Sequence, residues 1–221
     1  MAKELVMKKI KIGVLVSGRG SNLQAIIDNI EKGVLSAELS VVISDQADAY
    51  ALERARKHGI PDVHVSAKGY KGKREAYDAL LVKELEKRNV DLICLAGYMR
   101  IITPRLLNAF PSRILNIHPA LLPAFPGLHV QKKALERGVK FSGCTVHFVD
   151  EGMDTGSIII QAVVPVLDHD TEESLSERIL KQEHKIYSRA IQLFAEGKLK
   201  IEGKRVIVDR RTSSDEFLTN P

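Results

Sequence analysis

Ile10-Lys-Ile-Gly-Val-Leu-Val16 leads directly into the turn Ser17-Gly-Arg-Gly-Ser-Asn22. The first run is apolar and β-branched, which is typical of a buried strand. After the turn, Leu23, Ile26 and Ile30 recur at helical spacing. The sequence therefore predicts a strand, a tight glycine turn and a helix, which is the first unit of a parallel α/β sheet.

The same alternation continues through the first half of the chain. Further strands are predicted at residues 39–43, 63–65 and 90–96, with helices at 47–58, 75–88 and 104–110. The helix at 75–88 is amphipathic, with apolar residues at Ala76, Ala79, Leu80, Val82 and Leu85. Strand and helix in repetition imply parallel strands joined by right-handed crossovers. We therefore expect an α/β fold with a doubly wound, mostly parallel, Rossmann-like sheet and helices on both faces.

The second half changes character after a buried strand at residues 113–118. It contains a proline-rich loop at 121–127, a helix at 130–137, strands at 145–149 and 157–164, a long helix at 171–196 and a small hairpin at 199–208. The polar tail, residues 210–221, is expected to be loose. A chain of 221 residues fits a single domain. The sequence leaves open whether the Leu122–Pro123 bond is cis.

Composition narrows the class of protein. Hydrophobic content of 44% and charged content of 28% are ordinary for a soluble globular protein. No apolar run approaches the roughly 20 residues that a membrane span requires. Cys94 and Cys144 lie in apolar segments, so we expect reduced core residues and a cytoplasmic location. The net charge of +5 is scattered, without a basic run and interleaved aromatics, and does not by itself indicate nucleic acid.

The most informative polar pair is Asn116 and His118, near the end of the strand predicted at 113–118. Side chains two residues apart on a strand point to the same face. Open parallel sheets build their sites at the carboxyl ends of their strands. A buried polar pair there needs partners, or it costs a few kcal/mol. The pair therefore indicates a site, although the two side chains could also simply cap the strand and satisfy loop backbone.

Two loops carry further signals. The glycine turn at 17–22 presents backbone N–H groups at a helix N-terminus, with Ser21 and Asn22 as additional donors, and so suits an anion. Because a third glycine and a P-loop lysine are absent, a monophosphate fits better than a pyrophosphate. A plain helix-capping turn stays open. The acidic turn Asp150-Glu-Gly-Met-Asp154 is either solvated or turns one carboxylate toward His118, which would favour a charged imidazolium.

Metal and covalent chemistry are disfavoured. No His-x-x-x-His or Cys-x-x-Cys pair occurs, and His118, His129 and His147 are far apart in sequence, so no metal is expected. A Gly-x-Ser-x-Gly nucleophile elbow is missing, and neither cysteine has an obvious activating neighbour.

Taken together, these motifs resemble the phosphoribosylglycinamide formyltransferases, within the wider family of folate-dependent formyltransferases and hydrolases. The matching runs are Ser17-Gly-Arg-Gly-Ser-Asn-Leu23, Leu95-Ala-Gly-Tyr-Met-Arg-Ile-Ile102, Leu115-Asn-Ile-His-Pro-Ala-Leu-Leu-Pro123, Pro126-Gly-Leu-His129 and Val146-His-Phe-Val149, followed by Asp154. The resemblance extends from about residue 10 to about residue 208, with a phosphate-binding half at about 10–110 and a folate-binding and catalytic half at about 111–208. Two positions depart from the family pattern: Arg19, where small or polar residues are common, and Tyr98, where phenylalanine is frequent.

The resemblance implies formyl transfer from 10-formyltetrahydrofolate, the co-substrate, to the amine of glycinamide ribonucleotide in purine biosynthesis. Asn116 and His118 would stabilise the tetrahedral oxyanion, and Asp154 would keep His118 protonated so that it can pass a proton to the leaving folate nitrogen. The ribonucleotide would be held by Gly20, Ser21, Asn22, Lys181, Gln182 and Glu183. The folate would be held by Arg74, Met99, Arg100, Ile101, Ile102, Asn116, Asp150, Glu151, Gly152, Met153 and Asp154.

Several alternatives accompany this interpretation. A 10-formyltetrahydrofolate hydrolase shares the three catalytic residues but usually carries an N-terminal regulatory domain, for which a strand beginning by about residue 9 leaves no room. A methionyl-tRNA formyltransferase adds a C-terminal nucleic-acid-binding domain. A non-catalytic nucleotide-binding module is the third. For Met99, Ile101 and Ile102 ordinary core packing is the competing interpretation. We expect small-molecule substrates, no nucleic-acid or membrane partner, and a monomer or homodimer.

Overall fold

A computed structural model describes residues 9–209 of the chain. Its first strand, β1 (Ile10–Val16), leads through the glycine turn into helix α1 (Ser21–Glu31), as the sequence predicts. Gly20 precedes the helix with a φ of 70°, in the left-handed region that glycine adopts without steric penalty. The tail that was expected to be loose, residues 210–221, lies outside the described residues.

The remaining elements follow in the predicted order. The strands are β2 (Ala37–Ser44), β3 (Asp62–His64), β4 (Leu92–Leu95), β5 (Ile114–His118), β6 (Phe141–Phe148), β7 (Ile158–Pro165), β8 (Leu199–Glu202) and β9 (Arg205–Val208). The helices are α2 (Tyr50–Lys57), α3 (Arg74–Glu86), α4 (Pro104–Ala109), α5 (Val130–Arg137) and α6 (Glu172–Ala195). Most ends lie within a few residues of the prediction, but β6 begins at Phe141 rather than at residue 145.

All nine strands of residues 9–209 join in one sheet, in the order β3-β2-β1-β4-β5-β6-β7-β9-β8. The strands from β3 to β5 are parallel, whereas β6 pairs antiparallel with both β5 and β7. The order reverses at β1, which lies between β2 and β4, and sheets of this kind open a crevice at such a switch point. The predicted doubly wound, mostly parallel α/β fold, ending in a long helix and a hairpin, is confirmed.

Apolar side chains cover both faces of the sheet in two clusters. One face packs against α1, α2, α5 and α6, for example through Leu23. The other packs against α3 and α4, for example through Leu81. Ile114 of β5 belongs to the second cluster. Because side chains alternate along a strand, Asn116 and His118 share the face of Ile114 and leave the sheet on the side of α3 and α4.

The buried face of helix α3 matches its apolar pattern only in part, since Val82 and Leu85 are buried as predicted. Ala76 is exposed, whereas Tyr77 and Asp78 are buried. The Tyr77 hydroxyl donates to the carbonyl of Val65 at 2.8 Å. The Asp78 carboxylate accepts from the backbone N–H of Thr103 at 2.6 Å and from its hydroxyl at 2.8 Å. The hydrogen bonds offset part of the cost of burying these polar groups, although burial still raises the pKa of Asp78. The apolar pattern alone therefore could not place Tyr77 and Asp78 on the buried face.

The structure bears on three points raised by the sequence, namely the cysteines, the Leu122–Pro123 bond and the search for membrane spans. Cys94 and Cys144 are buried and free of disulfides, as expected, and burial raises the pKa of the Cys94 thiol to about 12. The Leu122–Pro123 bond, which the sequence left open, is cis. Within residues 9–209, no helix combines the length and apolarity needed to cross a membrane.

Candidate active site

A cleft of about 440 Å³ lies at the carboxyl ends of β4 and β5, where the sequence placed the polar pair. Asn116 and His118 both line it, and Asp154 reaches it from the loop between β6 and β7. The sequence predicted that Asn116 and His118 point to the same side of β5. This placement is confirmed, because both side chains enter one cleft. The simple strand-capping alternative does not account for the third residue, which comes from a separate loop.

The cleft also gathers most of the residues predicted to hold the folate. Those that line it are Met99, Arg100, Ile101, Ile102, Asn116, Asp150, Gly152, Met153 and Asp154. Arg74 and Glu151 are exposed and are not among the lining residues. The side chains of Met99 and Ile101 are 64% and 54% exposed, so core packing does not explain them, whereas Ile102 is buried in the core as well as lining the cleft.

His118 is held from both sides of its ring. Its Nε2 lies 2.9 Å from the backbone carbonyl oxygen of Phe125, and its Nδ1 lies 3.5 Å from Oδ2 of Asp154. Both neighbouring oxygens are acceptors, so the surroundings suit a ring that carries a proton on each nitrogen. The side chain of His118 is only 5% exposed, and the low dielectric strengthens its attraction to the carboxylate.

Asp154 occupies an unusual backbone position. Its φ is 56°, in the left-handed region that aspartate and asparagine tolerate better than most residues. The backbone N–H of Gly127 donates to its Oδ2 at 2.8 Å. Within the same turn, Asp150 accepts from the hydroxyl of Thr155 at 2.6 Å and from the N–H of Gly152 at 3.1 Å. The acidic turn is therefore not merely solvated, because one carboxylate faces His118 as the second interpretation expected.

The proline-rich loop beside His118 is fastened to the sheet by Thr145. The Thr145 hydroxyl donates to the carbonyl of Ala120 at 2.7 Å and accepts from the N–H of Leu122 at 3.0 Å. Gln161 of β7 donates to the Leu122 carbonyl at 2.9 Å. These bonds fix the loop that carries Phe125, and so fix the acceptor for the His118 ring. Sequence reasoning missed Thr145 because a threonine inside a strand ordinarily needs no further explanation.

His147 is the other residue that sequence reasoning did not place in the site. It is the direct cross-strand partner of Asn116 in the antiparallel pair β5–β6. Its Nε2 lies 3.1 Å from Nδ2 of Asn116 and 3.8 Å from Oδ1 of Asp154. The side chain lines the cleft and is 1% exposed. This histidine entered the sequence analysis as a possible metal ligand and as part of the run Val146-His-Phe-Val149 of the family resemblance, but without a role in the site. Among residues 9–209, no group of three or more His, Cys, Asp or Glu side chains is arranged to hold a metal ion.

A second polar corner lies at the glycine turn. Asn22 donates through Nδ2 to Oε2 of Glu183 on α6 at 2.7 Å, and within the described chain its buried Oδ1 has no hydrogen-bond partner. Of the other residues predicted there, Lys181 is exposed and Gln182 is half-buried, and neither lines the cleft. The corner adjoins the cleft, because the hydroxyl of Ser17 accepts from the N–H of Met99 at 2.9 Å.

Gly20 has no room for a side chain. A Cβ at this position would lie 2.7 Å from the Cβ of Ala51, and the φ of 70° disfavours any side chain. We expect Gly20→Ala to lower the free energy of unfolding by about 1–3 kcal/mol, measured by urea denaturation. Gly18→Ala is the matched control, since its Cβ would meet nothing within 4 Å. Equal losses in both variants would contradict the steric argument.

Burial of the Glu183 carboxylate is expected to make the free energy of unfolding depend on pH. Burial raises its pKa above the ordinary value, although the hydrogen bond from Asn22 lowers it. The folded state therefore holds the proton more readily than the unfolded state, and this carboxylate costs stability as pH rises from about 4.3 through the raised value. We expect Glu183→Gln to have a higher free energy of unfolding than the wild type at pH 7, with the gap narrowing toward pH 4.

The control for this experiment is Glu177→Gln, the same chemical change at an exposed position of the same helix. Urea denaturation of the two variants and the wild type at several pH values measures the effect. A Glu183→Gln gap that stays constant with pH would show that the gain comes from packing rather than from the removal of a buried charge.

Comparison with known proteins bears directly on this site. The family model described as formyl transferase matches residues 10–191, which include the glycine turn, both strands of the cleft and the Asp154 loop. This chain belongs to the formyl transferase family. The formyl transferase is 44% identical over 200 residues to the phosphoribosylglycinamide formyltransferase of Escherichia coli (strain K12), an alignment that covers 90% of this chain and 94% of that protein.

Two further relatives of this formyl transferase differ in how much of their own length the chain covers. It is 49% identical over 197 residues to the trifunctional purine biosynthetic protein adenosine-3 of Drosophila melanogaster, covering 88% of this chain but only 14% of that protein. The crystal structure of glycinamide ribonucleotide transformylase 1 from Symbiobacterium toebii superimposes with a TM-score of 0.91 at 56% identity, covering 94% of this chain and 98% of the other. The predicted family and fold are thus confirmed.

Proposed function

We propose that this formyl transferase moves the formyl group of 10-formyltetrahydrofolate to the amine of 5-phosphoribosylglycinamide, a step of purine biosynthesis. The observation that carries the proposal is the buried His118 ring, placed beside Asn116 and facing the carboxylate of Asp154 in an otherwise largely apolar cleft. The names of the E. coli and S. toebii relatives support the same substrate.

The chemistry follows from the atoms that the site presents. The amine lone pair of the ribonucleotide attacks the formyl carbon, and the carbonyl electrons move to the oxygen. An amide N–H of Asn116 would stabilise that oxyanion, and a ring N–H of His118 would do so by exchanging its present acceptor, the Phe125 carbonyl or the Asp154 carboxylate, for the oxyanion. One such donor is worth about 3–4 kcal/mol. When the intermediate collapses, the bond to the folate nitrogen breaks. The attacking nitrogen, which becomes positively charged on attack, would give up a proton, and transfer of a proton through His118 to the folate nitrogen would neutralise the leaving group, a contribution of roughly 10²–10⁴-fold.

The walls of the cleft suit a flat heterocycle. Met99, Ile101 and Met153 expose more than half of their side chains there, which leaves apolar surface for a ligand to cover. The carboxyl-end loops of β4 and β5 add backbone donors and acceptors that could read a pterin edge. We assign the folate to this cleft. Contacts of the folate with Arg74 and Glu151 stay predictions, because these side chains do not line the cleft.

The corner around Asn22 suits the ribonucleotide. The first N–H groups of α1 have no earlier helical carbonyl to bond, and a helix N-terminus attracts a phosphate. Gly20, Ser21 and Asn22 would bind the phosphate, and the carboxylate of Glu183 would accept from sugar hydroxyls. Because Ser17 joins this corner to Met99 of the cleft, the two substrates would meet with the amine directed toward Asn116 and His118.

A 10-formyltetrahydrofolate hydrolase is the main competing activity, since it would use the same three residues with water as the acceptor. The phosphate-type corner favours the transferase, because a hydrolase has no use for a second polar subsite next to the folate. Contacts of Lys181 and Gln182 with the ribonucleotide, the absence of a metal requirement, the cytoplasmic location, the lack of nucleic-acid and membrane partners, the monomer or homodimer state and the single-domain organisation stay predictions.

The test is a formyl-transfer assay with 10-formyltetrahydrofolate, run with and without glycinamide ribonucleotide. Folate turnover that depends on the ribonucleotide and yields its N-formyl product is the expected result. Deformylation that ignores the ribonucleotide would make the protein a hydrolase and would leave the corner around Asn22 without its proposed ligand. No folate turnover under either condition would favour the non-catalytic nucleotide-binding alternative.

A further inference from the structure

His147 is not one of the three proposed catalytic residues, Asn116, His118 and Asp154, but its side chain contacts Asn116. It faces Asn116 across the antiparallel pair β5–β6, and Nε2 of His147 lies 3.1 Å from Nδ2 of Asn116. The residue is 1% exposed, so water cannot substitute freely for either hydrogen-bonding nitrogen of its ring. In a hydrogen bond between Nε2 of His147 and Nδ2 of Asn116, one nitrogen must donate a proton and the other must accept it.

The surroundings of the other ring nitrogen, Nδ1, show which of the two donates. Nδ1 of His147 lies 2.8 Å from the backbone carbonyl oxygen of Phe148. A carbonyl only accepts, so Nδ1 carries the proton. A neutral imidazole has one N–H, which leaves a lone pair on Nε2. Burial lowers the pKa of His147, against the opposing influence of the Phe148 carbonyl and Asp154, and this favours the neutral ring. Asn116 must then donate to Nε2 through one N–H of its Nδ2.

We infer that His147 is a positioning residue that fixes the orientation of the Asn116 amide in the reaction. With one N–H of Nδ2 held by His147, the second N–H of the same planar group is fixed in direction and is available to the reacting oxygen. The flipped amide would set its oxygen lone pairs against the lone pair of Nε2, which is repulsive. This inference rests on the proposed function, because the held N–H matters only if it stabilises an oxyanion.

Two substitutions separate the two hydrogen bonds of the ring. The side-chain amide of glutamine reaches about as far as Nε2 of histidine, and that of asparagine about as far as Nδ1. His147→Gln can therefore still accept from Asn116 through its amide oxygen, but it gives up the Nδ1 bond to Phe148. His147→Asn can still donate to the Phe148 carbonyl, but it leaves the Asn116 amide without an acceptor.

For formyl transfer we expect His147→Asn to lower kcat by about 10- to 100-fold, a large part of what one oxyanion donor contributes. The KM for each substrate should stay within about threefold of the wild type, because ground-state binding does not use the oriented N–H. His147→Gln should recover most of the lost kcat. The opposite order of the two variants, or equal losses in both, would overturn the inference, because a purely structural role depends on the Phe148 bond at least as much.

A second measurement does not require activity or a folded variant. Nitrogen-15 NMR of the wild type at neutral pH should show His147 protonated on Nδ1 and bare on Nε2, with a coupling across the hydrogen bond from the Asn116 amide to Nε2. A proton on Nε2 would refute the assigned orientation even if formyl transfer is confirmed. Conversely, the expected NMR pattern in a protein that does not transfer formyl groups would leave the hydrogen bond intact and remove the proposed function.

Discussion

His118→Ala is expected to lower kcat for formyl transfer by roughly 10²–10⁴-fold, with little change in the KM of either substrate. The reason is geometric. The ring is 5% exposed and held between the Phe125 carbonyl and Asp154, so we expect it to act in the chemical step rather than as a binding surface. Steady-state kinetics with the folate and the ribonucleotide varied in turn measure both quantities. A large rise in KM with an unchanged kcat would show that His118 only binds substrate.

The control for this variant is His169→Ala, which removes the same side chain at an exposed position. It should leave kcat and KM unchanged, because His169 does not line the cleft. Comparable losses in both histidine variants would point to a general loss of folded protein. Urea denaturation of each purified variant distinguishes that case, since the catalytic argument requires His118→Ala to be folded under assay conditions.

Asp154→Asn is expected to lower kcat on the order of 100-fold. Asparagine tolerates the left-handed backbone of this position, and its amide oxygen can still accept from the N–H of Gly127. The loop therefore keeps its shape, while the negative charge 3.5 Å from the His118 ring is lost. Without that charge the His118 ring loses its anionic partner, so we expect weaker stabilisation of the oxyanion. The experiment measures kcat at neutral pH with both substrates saturating.

Asp168→Asn provides the matched comparison, because it removes the same charge from an exposed surface ion pair with Lys140. Such pairs contribute little, and this one does not line the cleft, so kcat should stay at the wild-type value. An Asp154→Asn variant with full turnover would mean that the His118 ring needs no anionic partner, and the proton-donor role of His118 would then need another explanation.

The sequence predicted those parts of the structure that depend on local pattern. The strand–turn–helix from Ile10 to Glu31 follows from apolar period and glycine chemistry alone. The joint position of Asn116 and His118 follows from strand parity. The acidic turn was a candidate partner of His118 from its residues alone, and the family resemblance then singled out Asp154 within it. In each case the decisive information lies within a short stretch of chain or in a motif.

Long-range pairing could not be predicted in the same way. His147 faces Asn116 only because β6 runs antiparallel in one particular register, and a shift of one residue would turn the histidine to the other face. The buried residues of helix α3 were predicted only in part for a related reason. Its Asp78 is buried because Thr103, distant in sequence, donates two hydrogen bonds to it, and no local pattern contains that partner.

The hydrogen bond between Asn22 and Glu183 joins residues 161 positions apart in the chain. One partner lies on α1 and the other on α6, the first and last helices of residues 9–209. A chain that lacks α6 cannot form this corner. Contacts between residues that are distant in sequence are associated with slower folding. A ligand held in this corner would stabilise the domain as a unit, because its binding free energy adds to global folding rather than to one local segment.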